Sequence, residues 1–405
     1  MTEFFFSEIE KYKYPDFLID IIQDSLNIFL GNIGEDNLAA VVLHGSTAKG
    51  KITIIGDQLY SDVEFFVFVR RSVSGAAAEK IRNDLVAIKE KYHQKNRFFH
   101  VDFIIKKKCL MRFYQRNLLI YELKNAGKVL YGDLNILSNI PKIDEKNINL
   151  RAVNDIMLMR LRVFLKDFSF NPGDKEDYYA LLKNVYQYLM AVVVFNKGIL
   201  LPSGYDRYKY VEAHHEDYLF LGDRFFSNYY FSSRMKFPMH FAENERNVSF
   251  DKGYFDYAKE VVGGMFLVLR LLLQKNNLSQ SEINEENVFS VLDRSADIFN
   301  DSWFDVYSLA CRVRYLKQVV LSGKIFSLFK AFRPIKKKLV LAYLALCFAL
   351  KKQLNGESPD LYLQLAAKYT KQLSYENTKF SLTGDFKKDF YFLKAELLTI
   401  YRIVF

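Results

Sequence analysis

The sequence predicts an α+β protein, with a small mixed β-sheet domain near its N-terminal end followed by a mainly α-helical C-terminal region. Three observations lead there. Apolar runs of strand length, rich in β-branched and aromatic residues, recur at 38–43, 62–69 and 98–105. Helix-period patterns precede and separate them at 15–30 and 74–92. After a polar, proline-containing stretch at 139–148, strand patterns largely vanish and helical periodicity continues.

Taken in order, residues 15–30 place Phe17, Leu18, Ile21, Ile22, Leu26, Ile28 and Phe29 on a broad apolar face, with Pro15 suited to the first turn. The run at 38–43 is a strand that stops at His44-Gly45-Ser46, where glycine permits a tight turn and close backbone approach to a ligand. A second strand starts at Asp62 and runs through Val63, Glu64 and Phe65 to Val69. The helix at 74–92 crosses back to a third strand, FFHVDFII, which carries Asp102.

Helices then follow at 149–168 and from Asp174 to about Asn196, the second closing at Gly198 after an Asn171-Pro172-Gly173 turn. The run 261–273 is apolar but contains Arg270 and is too short to cross a bilayer, which takes about 20 apolar residues, so it reads as a buried helix. The expected organisation is a catalytic domain at 1–140, a helical domain at 149–275 that closes over nucleotide and acceptor, and a C-terminal helical region at 281–405.

Composition narrows the class. Half of the 405 residues are hydrophobic and 16% are aromatic, which predicts a folded, well-buried chain rather than a disordered one. Cys109, Cys311 and Cys347 lie far apart without metal-ligand spacing, and the first residues lack the pattern of a secretory signal, so a reducing cytoplasm is the expected location. His214-His215 has no partners at metal-ligand spacing.

The chemistry is concentrated in 43–69, LHGSTAKGKITIIGDQLYSDVEFFVFV. Side chains alternate along a strand, so Asp62 and Glu64 point one way while Val63 and Phe65 point into the core. Two acids side by side repel unless a cation sits between them, and hard divalent cations such as Mg²⁺ prefer oxygen ligands. Asp102, an ionisable group inside an apolar strand, is costly unless it faces a site, and it would join the other two acids if the strands are neighbours.

Glycine-serine, an acid-x-acid strand and a later one-acid strand resemble the nucleotidyltransferase superfamily, which has a DNA polymerase β-like fold. The word GSTAKG is similar to the family's G-S-x-A-R-G, with Lys49 in the arginine position, and SDVE to the S-D-[IV]-[DE] that follows it. The Glu variant is similar to aminoglycoside, kanamycin-type members and minimal nucleotidyltransferases, and GKVLYGD at 127–133 resembles the G-x-x-L-Y-G segment that ends their catalytic domain. The 15 residues between Ser46 and Asp62 are a departure that leaves base preference open.

The resemblance implies a Mg²⁺-dependent nucleotidyltransferase, with two ions and Mn²⁺ as an alternative. Asp62, Glu64 and Asp102 would be the catalytic and metal-binding residues, and Gly45, Ser46, Lys49 and Lys183 the nucleotide-binding ones. A nucleoside monophosphate, AMP from ATP by prevalence, would pass to a hydroxyl of a small molecule or saccharide with release of pyrophosphate. Lys183, with Asn184 and Gln187, reads either as part of a solvated helix stripe or as a lysine reaching the triphosphate, and Glu176 and Asp177 are candidates for a base.

Two features keep other readings open. The aromatic stretch at 199–240, interleaved with Arg, Lys and His, suits a sugar or base, and equally an aromatic core. The segment 324–352 has seven Lys, one Arg and no acid, which accounts for +8 of the chain's formal +10. It reads as a solvated flank of a buried helix, or as a surface for RNA or an anionic membrane peripheral to which the chain would act. The alternatives are thus nucleotidyl transfer to RNA or protein, or a catalytically silent nucleotide-binding protein.

Overall fold

A computed structural model describes residues 14–52, 54–55, 58–94, 99–114, 116–173, 175–182, 185–237, 240–241, 250–275, 283–294, 335–374 and 382–404. The fold is α+β, and the chain divides into two compact units. The first comprises 1–149 with the returning segments 200–210 and 236–247, and the second holds 150–199, 211–235 and 248–405.

The first unit is built on a four-stranded mixed sheet in the order β5-β4-β1-β6, from β1 (Leu38–His44), β4 (Val63–Val69), β5 (Val101–Lys107) and β6 (Lys128–Gly132). β1 pairs antiparallel with β4 and β6, while β4 and β5 are parallel. The short β2 (Ile54–Ile55) and β3 (Gln58–Leu59) form a separate ribbon within the connection before Asp62.

Strand alternation sends the sheet's side chains into two cores. Leu43, Val63, Phe65 and Val67 face α1 (Asp16–Ile33) and α2 (Gly75–Lys91), where Leu18, Ile22, Phe29, Ile81 and Leu85 are fully or almost fully buried. Phe29 meets Phe65 edge-on, with ring centroids 5.3 Å apart. Val42, Phe66 and Phe68 face α3 (Leu118–Ala126) and its flanking turns through Ile120, Leu123, Met111 and Ile136. The sheet is therefore sandwiched, which explains why β1 and β4 read as unbroken apolar runs.

The local signals act where expected. Pro15 sits at the N-cap of α1, and the Ser74 hydroxyl caps α2 by accepting from Ala77 N–H at 3.1 Å. Gly132 ends β6 at φ +85°, pressed so closely on the Ala39 carbonyl that a Cβ would overlap it, a physical reason for glycine in the LYGD word.

The second unit is helical: α4 (Leu150–Asp167), α5 (Lys175–Leu182), α6 (Val185–Asn196), α9 (Tyr254–Lys275), α10 (Val288–Arg294), α11 (Ile335–Leu354), α12 (Asp360–Leu373) and α13 (Phe386–Val404). Two further helices, α7 (Gly204–Ala213) and α8 (Asp223–Lys236), carry the aromatic stretch. Tyr208, Tyr218, Phe225, Phe226, Tyr229 and Phe237 are all buried, so that stretch supplies core.

Residues 339–350 of the basic segment are buried along their whole length, and no described helix is long and apolar enough to cross a membrane. Four of its lysines meet protein partners. Lys338 pairs with Asp293 at 2.7 Å, Lys351 with Glu285 and Lys352 with Glu357 at 2.5 Å, and Lys337 donates to the Asp293 carbonyl. Residues 324–334 lie outside the described residues.

Phe65→Ala should lower the unfolding free energy by about 3–5 kcal/mol, the cost typical of an aromatic removed from a sealed core. Phe113→Ala, at a side chain 72% exposed, should stay within about 0.5 kcal/mol of wild type. Urea titrations of both variants check the contrast, and equal losses would contradict the two-core arrangement.

Candidate active site

The site grows from the end of β1. His44 is the last strand residue, and Gly45 at φ +71° turns the chain into a single helical turn, Gly45–Ala48. Thr47 fixes that turn to the next strand by donating its hydroxyl to the Asp62 carbonyl at 3.0 Å, and the Tyr14 hydroxyl donates to the Thr47 carbonyl. The turn and the acid strand are thus held together before any ligand is considered.

Register places the acids. His44 pairs with Glu64 across the antiparallel β1–β4 ladder, and Glu64 pairs with Asp102 across the parallel β4–β5 ladder. Paired residues of neighbouring strands share a face, so Glu64 and Asp102 lie side by side, with Asp62 one step before the strand on the same side. Gly45 lies so near Glu64 that a Cβ on it would coincide with Glu64 Oε2. Glycine is required there on both backbone and steric grounds.

Loss of hydration, reinforced by the charges of Asp62 and Asp102, pushes the Glu64 carboxyl up to about 7, with Lys236 and Lys49 offsetting only part of it. The side chain nonetheless keeps 44% of its surface open, so the acid is crowded by like charge yet reachable. Asp102 is exposed on the edge strand β5, so its charge carries no burial cost. Among the described residues no three His, Cys, Asp or Glu side chains converge closely enough to encircle an ion as they stand. The three acids are neighbours at one end of the sheet, all oxygen donors, with mutual repulsion that a cation would relieve.

Three groups escaped sequence reasoning. His44 is buried with its Nδ1 3.9 Å from Glu64 Oε2, and its Nε2 has no hydrogen-bond partner among the described residues. Burial holds its imidazole down at about 4, which leaves it neutral near pH 7. Glu122 of α3, 15% exposed, accepts from Lys49 Nζ at 2.8 Å and from the Arg207 guanidinium at 3.2 Å. Burial would raise that carboxyl, but Lys49 and Arg207 outweigh it and hold it at about 2. A glutamate in the word LLIYELKNA looks like an ordinary helix-surface acid, and nothing periodic announces its partners.

Lys49 is therefore engaged with Glu122 next to the glycine turn. Lys51 donates to Ser203 Oγ at 2.8 Å and Asp206 at 3.2 Å, with Ser203 and Asp206 bonded to each other. Lys49, Lys51, Lys128, Asn125, Ser203 and Asp206 border a recess of about 230 Å³ beside Ala48. Lys183 and Asn184 lie outside the described residues, as does the Glu176 side chain, while Asp177 accepts from the Gly173 N–H at 2.6 Å.

The chain matches no protein-family model and no curated protein. Among solved structures it is similar to spectinomycin adenyltransferase AAD(9) from Enterococcus faecialis, solved with ATP and spectinomycin, at 13% identity and a TM-score of 0.42 over 62% of this chain and 98% of that one. A likeness this loose carries no weight for what the chain does.

Two measurements test the geometry. Glu64, raised from 4.5 to about 7, contributes stability that is present below about 4.5 and lost as pH rises through about 7. Glu64→Gln should therefore gain melting temperature over wild type at pH 8 in a chelator, with the gain shrinking toward pH 5; a pH-independent difference would contradict the crowding. Gly45→Ala combined with Glu64→Ala should be non-additive by roughly 0.5–3 kcal/mol, since the second change removes the overlap and leaves the backbone strain. Additive losses in urea would mean the two residues do not touch.

Proposed function

We propose that the chain is a nucleotidyltransferase that moves a nucleoside monophosphate, AMP from ATP by default, to a hydroxyl of a small acceptor and releases pyrophosphate. The observation that carries this reading is the register His44–Glu64–Asp102 across three adjacent strands, which sets an acid cluster against a glycine-serine turn. The donor set fits a hard divalent cation such as Mg²⁺, with Asp62, Glu64 and Asp102 as the residues that would hold it. When bound, that ion would neutralise triphosphate charge and polarise the α-phosphorus.

The chain's own groups do the rest. Gly45 and Ser46 offer backbone N–H groups and a hydroxyl to the terminal phosphates, at a turn where glycine lets the backbone lie against the Glu64 carboxylate. Lys49 and Lys51, fixed by Glu122 and Asp206, add positive potential on the same side as the recess they border. The acceptor hydroxyl attacks the α-phosphorus in line, forming one O–P bond as the bond to the β-phosphate oxygen breaks. Its proton passes to Asp102, the exposed acid of the three, and pyrophosphate leaves.

A small acceptor is favoured over a polyanion because lysines of the basic segment already meet Asp293, Glu285 and Glu357. Incubation with each NTP labelled at the α-phosphate, Mg²⁺ and a panel of hydroxylated small molecules should move label onto a small molecule. Asp62→Ala and Glu64→Ala should each cut that transfer by about a hundredfold or more, with the circular dichroism spectrum unchanged. Turnover that survives in both folded variants would remove the acid cluster from the reaction.

A further inference from the structure

The helical unit contains a second recess, of about 680 Å³, that uses none of the residues assigned to nucleotide transfer. That volume falls within the range of about 300–1,000 Å³ usual for small-molecule sites. Tyr186 of α6 forms its floor, donating its hydroxyl to the Glu260 backbone carbonyl at 2.9 Å while Asn228 donates to the same hydroxyl at 3.2 Å. Two consecutive glycines of α9 shape the space differently. A Cβ on Gly264 would come within 3.1 Å of the Tyr186 ring, so that glycine lets the helix lie against the floor. A Cβ on Gly263, which borders the recess, would meet nothing within 4 Å, so this glycine leaves the space open.

Charge at the mouth is organised around one acid. The Glu260 side chain is only 10% exposed and accepts from Lys252 Nζ at 3.0 and 3.2 Å and from Asn228 at 2.9 Å, with Arg224 Nε 3.6 Å away. A carboxylate so enclosed is held in place, and it holds the two cations in turn. Four cationic side chains line the recess: Lys259 pairs with Asp256 and Lys351 with Glu285, while Arg224 and Lys252 share Glu260, which leaves a surplus of one positive charge. Arg224 is 81% exposed, with its Nε 3.6 Å from Glu260 Oε1, which leaves most of the side chain open to a ligand. A planar guanidinium fork is the geometry that grips an oxyanion with two parallel hydrogen bonds. Phe225 and Leu267 supply an apolar wall beside it.

We propose that this recess binds a small organic oxyanion, with a phosphate or carboxylate head on Arg224 and Lys252 and an apolar or aromatic body against Phe225 and Leu267. Tyr186 stays a neutral hydrogen-bonding floor, because burial raises its phenol far above the usual value. Lys351 gives one residue of the basic segment a place at the site. The buried acid tunes selectivity: it offsets part of the charge, so a compact head of low charge is matched and a polyanion is not.

Calorimetric titration of the full chain with phenyl phosphate, benzoate and neutral benzyl alcohol at low salt tests this. Phenyl phosphate or benzoate should bind with a stoichiometry of one and benzyl alcohol should not, and whichever anion binds more tightly identifies the head group. Arg224→Gln should weaken binding about tenfold or more, as loss of a charge-assisted hydrogen-bond pair does. Gly263→Leu, placed in open space on a helix, should fill the recess and abolish binding while the helical circular dichroism is retained. Phe113→Ala, at an exposed side chain of the other unit, should leave the affinity as in wild type. Binding that survives Gly263→Leu, that is indifferent to Arg224→Gln, or that vanishes in Phe113→Ala would overturn the proposal, as would failure of both anions to bind wild type at millimolar concentration. These outcomes are independent of whether Asp62 and Glu64 support nucleotidyl transfer.

Discussion

Strand register is the constraint on which the first unit depends. Pairing of His44 with Glu64, and of Glu64 with Asp102, sets the acids beside the glycine turn only because β4 cannot slide. A slip of one residue would send Glu64 toward Phe29 and expose Phe65, and every other side chain of the strand would change face with them. Both faces of β4 are sealed, Val63, Phe65 and Val67 on one side and Phe66 and Phe68 on the other, so each neighbour penalises that slip. The apolar run that identifies the strand also locks the acid at its mouth.

That explains how much of the site was legible. Asp62 and Glu64 announce themselves because two acids interrupt an otherwise apolar strand, and Gly45 because it ends one. Asp102 was visible as an acid in an apolar run, but its exposure depends on β5 being an edge, and strand order is not a periodic property of the chain. Glu122 and Arg207 were invisible for a different reason. Their ion pairs join residues separated by 73 and 85 positions, and neither end looks unusual in its own helix. The boundary near 139–148 shows the same limit: 200–210 returns to the first unit, where Lys51 meets Asp206 and Arg207 meets Glu122, although its sequence reads as a continuation of the helical part.

The buried acid Glu122 and the crowded acid Glu64 show what a partner does to a carboxylate. Both lose hydration, yet one is held at about 2 and the other is pushed up to about 7. Two cations at hydrogen-bond distance account for the first. Loss of hydration first, then the like charges of Asp62 and Asp102, account for the second, and Lys236 and Lys49 offset only part of it. Glu122 behaves as a structural acid, holding Lys49 beside the turn, whereas Glu64 carries an electrostatic debt that the fold alone does not settle. Local frustration of this kind, maintained by well-packed strands on both faces, is what a binding site requires of its scaffold.

What can settle it is limited by the neighbours. His44 Nδ1 lies 3.9 Å from Glu64 Oε2, but burial keeps the ring neutral near pH 7, so it contributes no positive charge. Lys49 is committed to Glu122 at 2.8 Å and lowers Glu64 only weakly, as Lys236 does from further along the chain. Two compensations are left for the cluster: a proton on Glu64, or a cation that enters with the ligand. The two would compete for the same oxygen atoms, so under the proposed function occupancy of the acid cluster is tied to the arrival of a charged substrate.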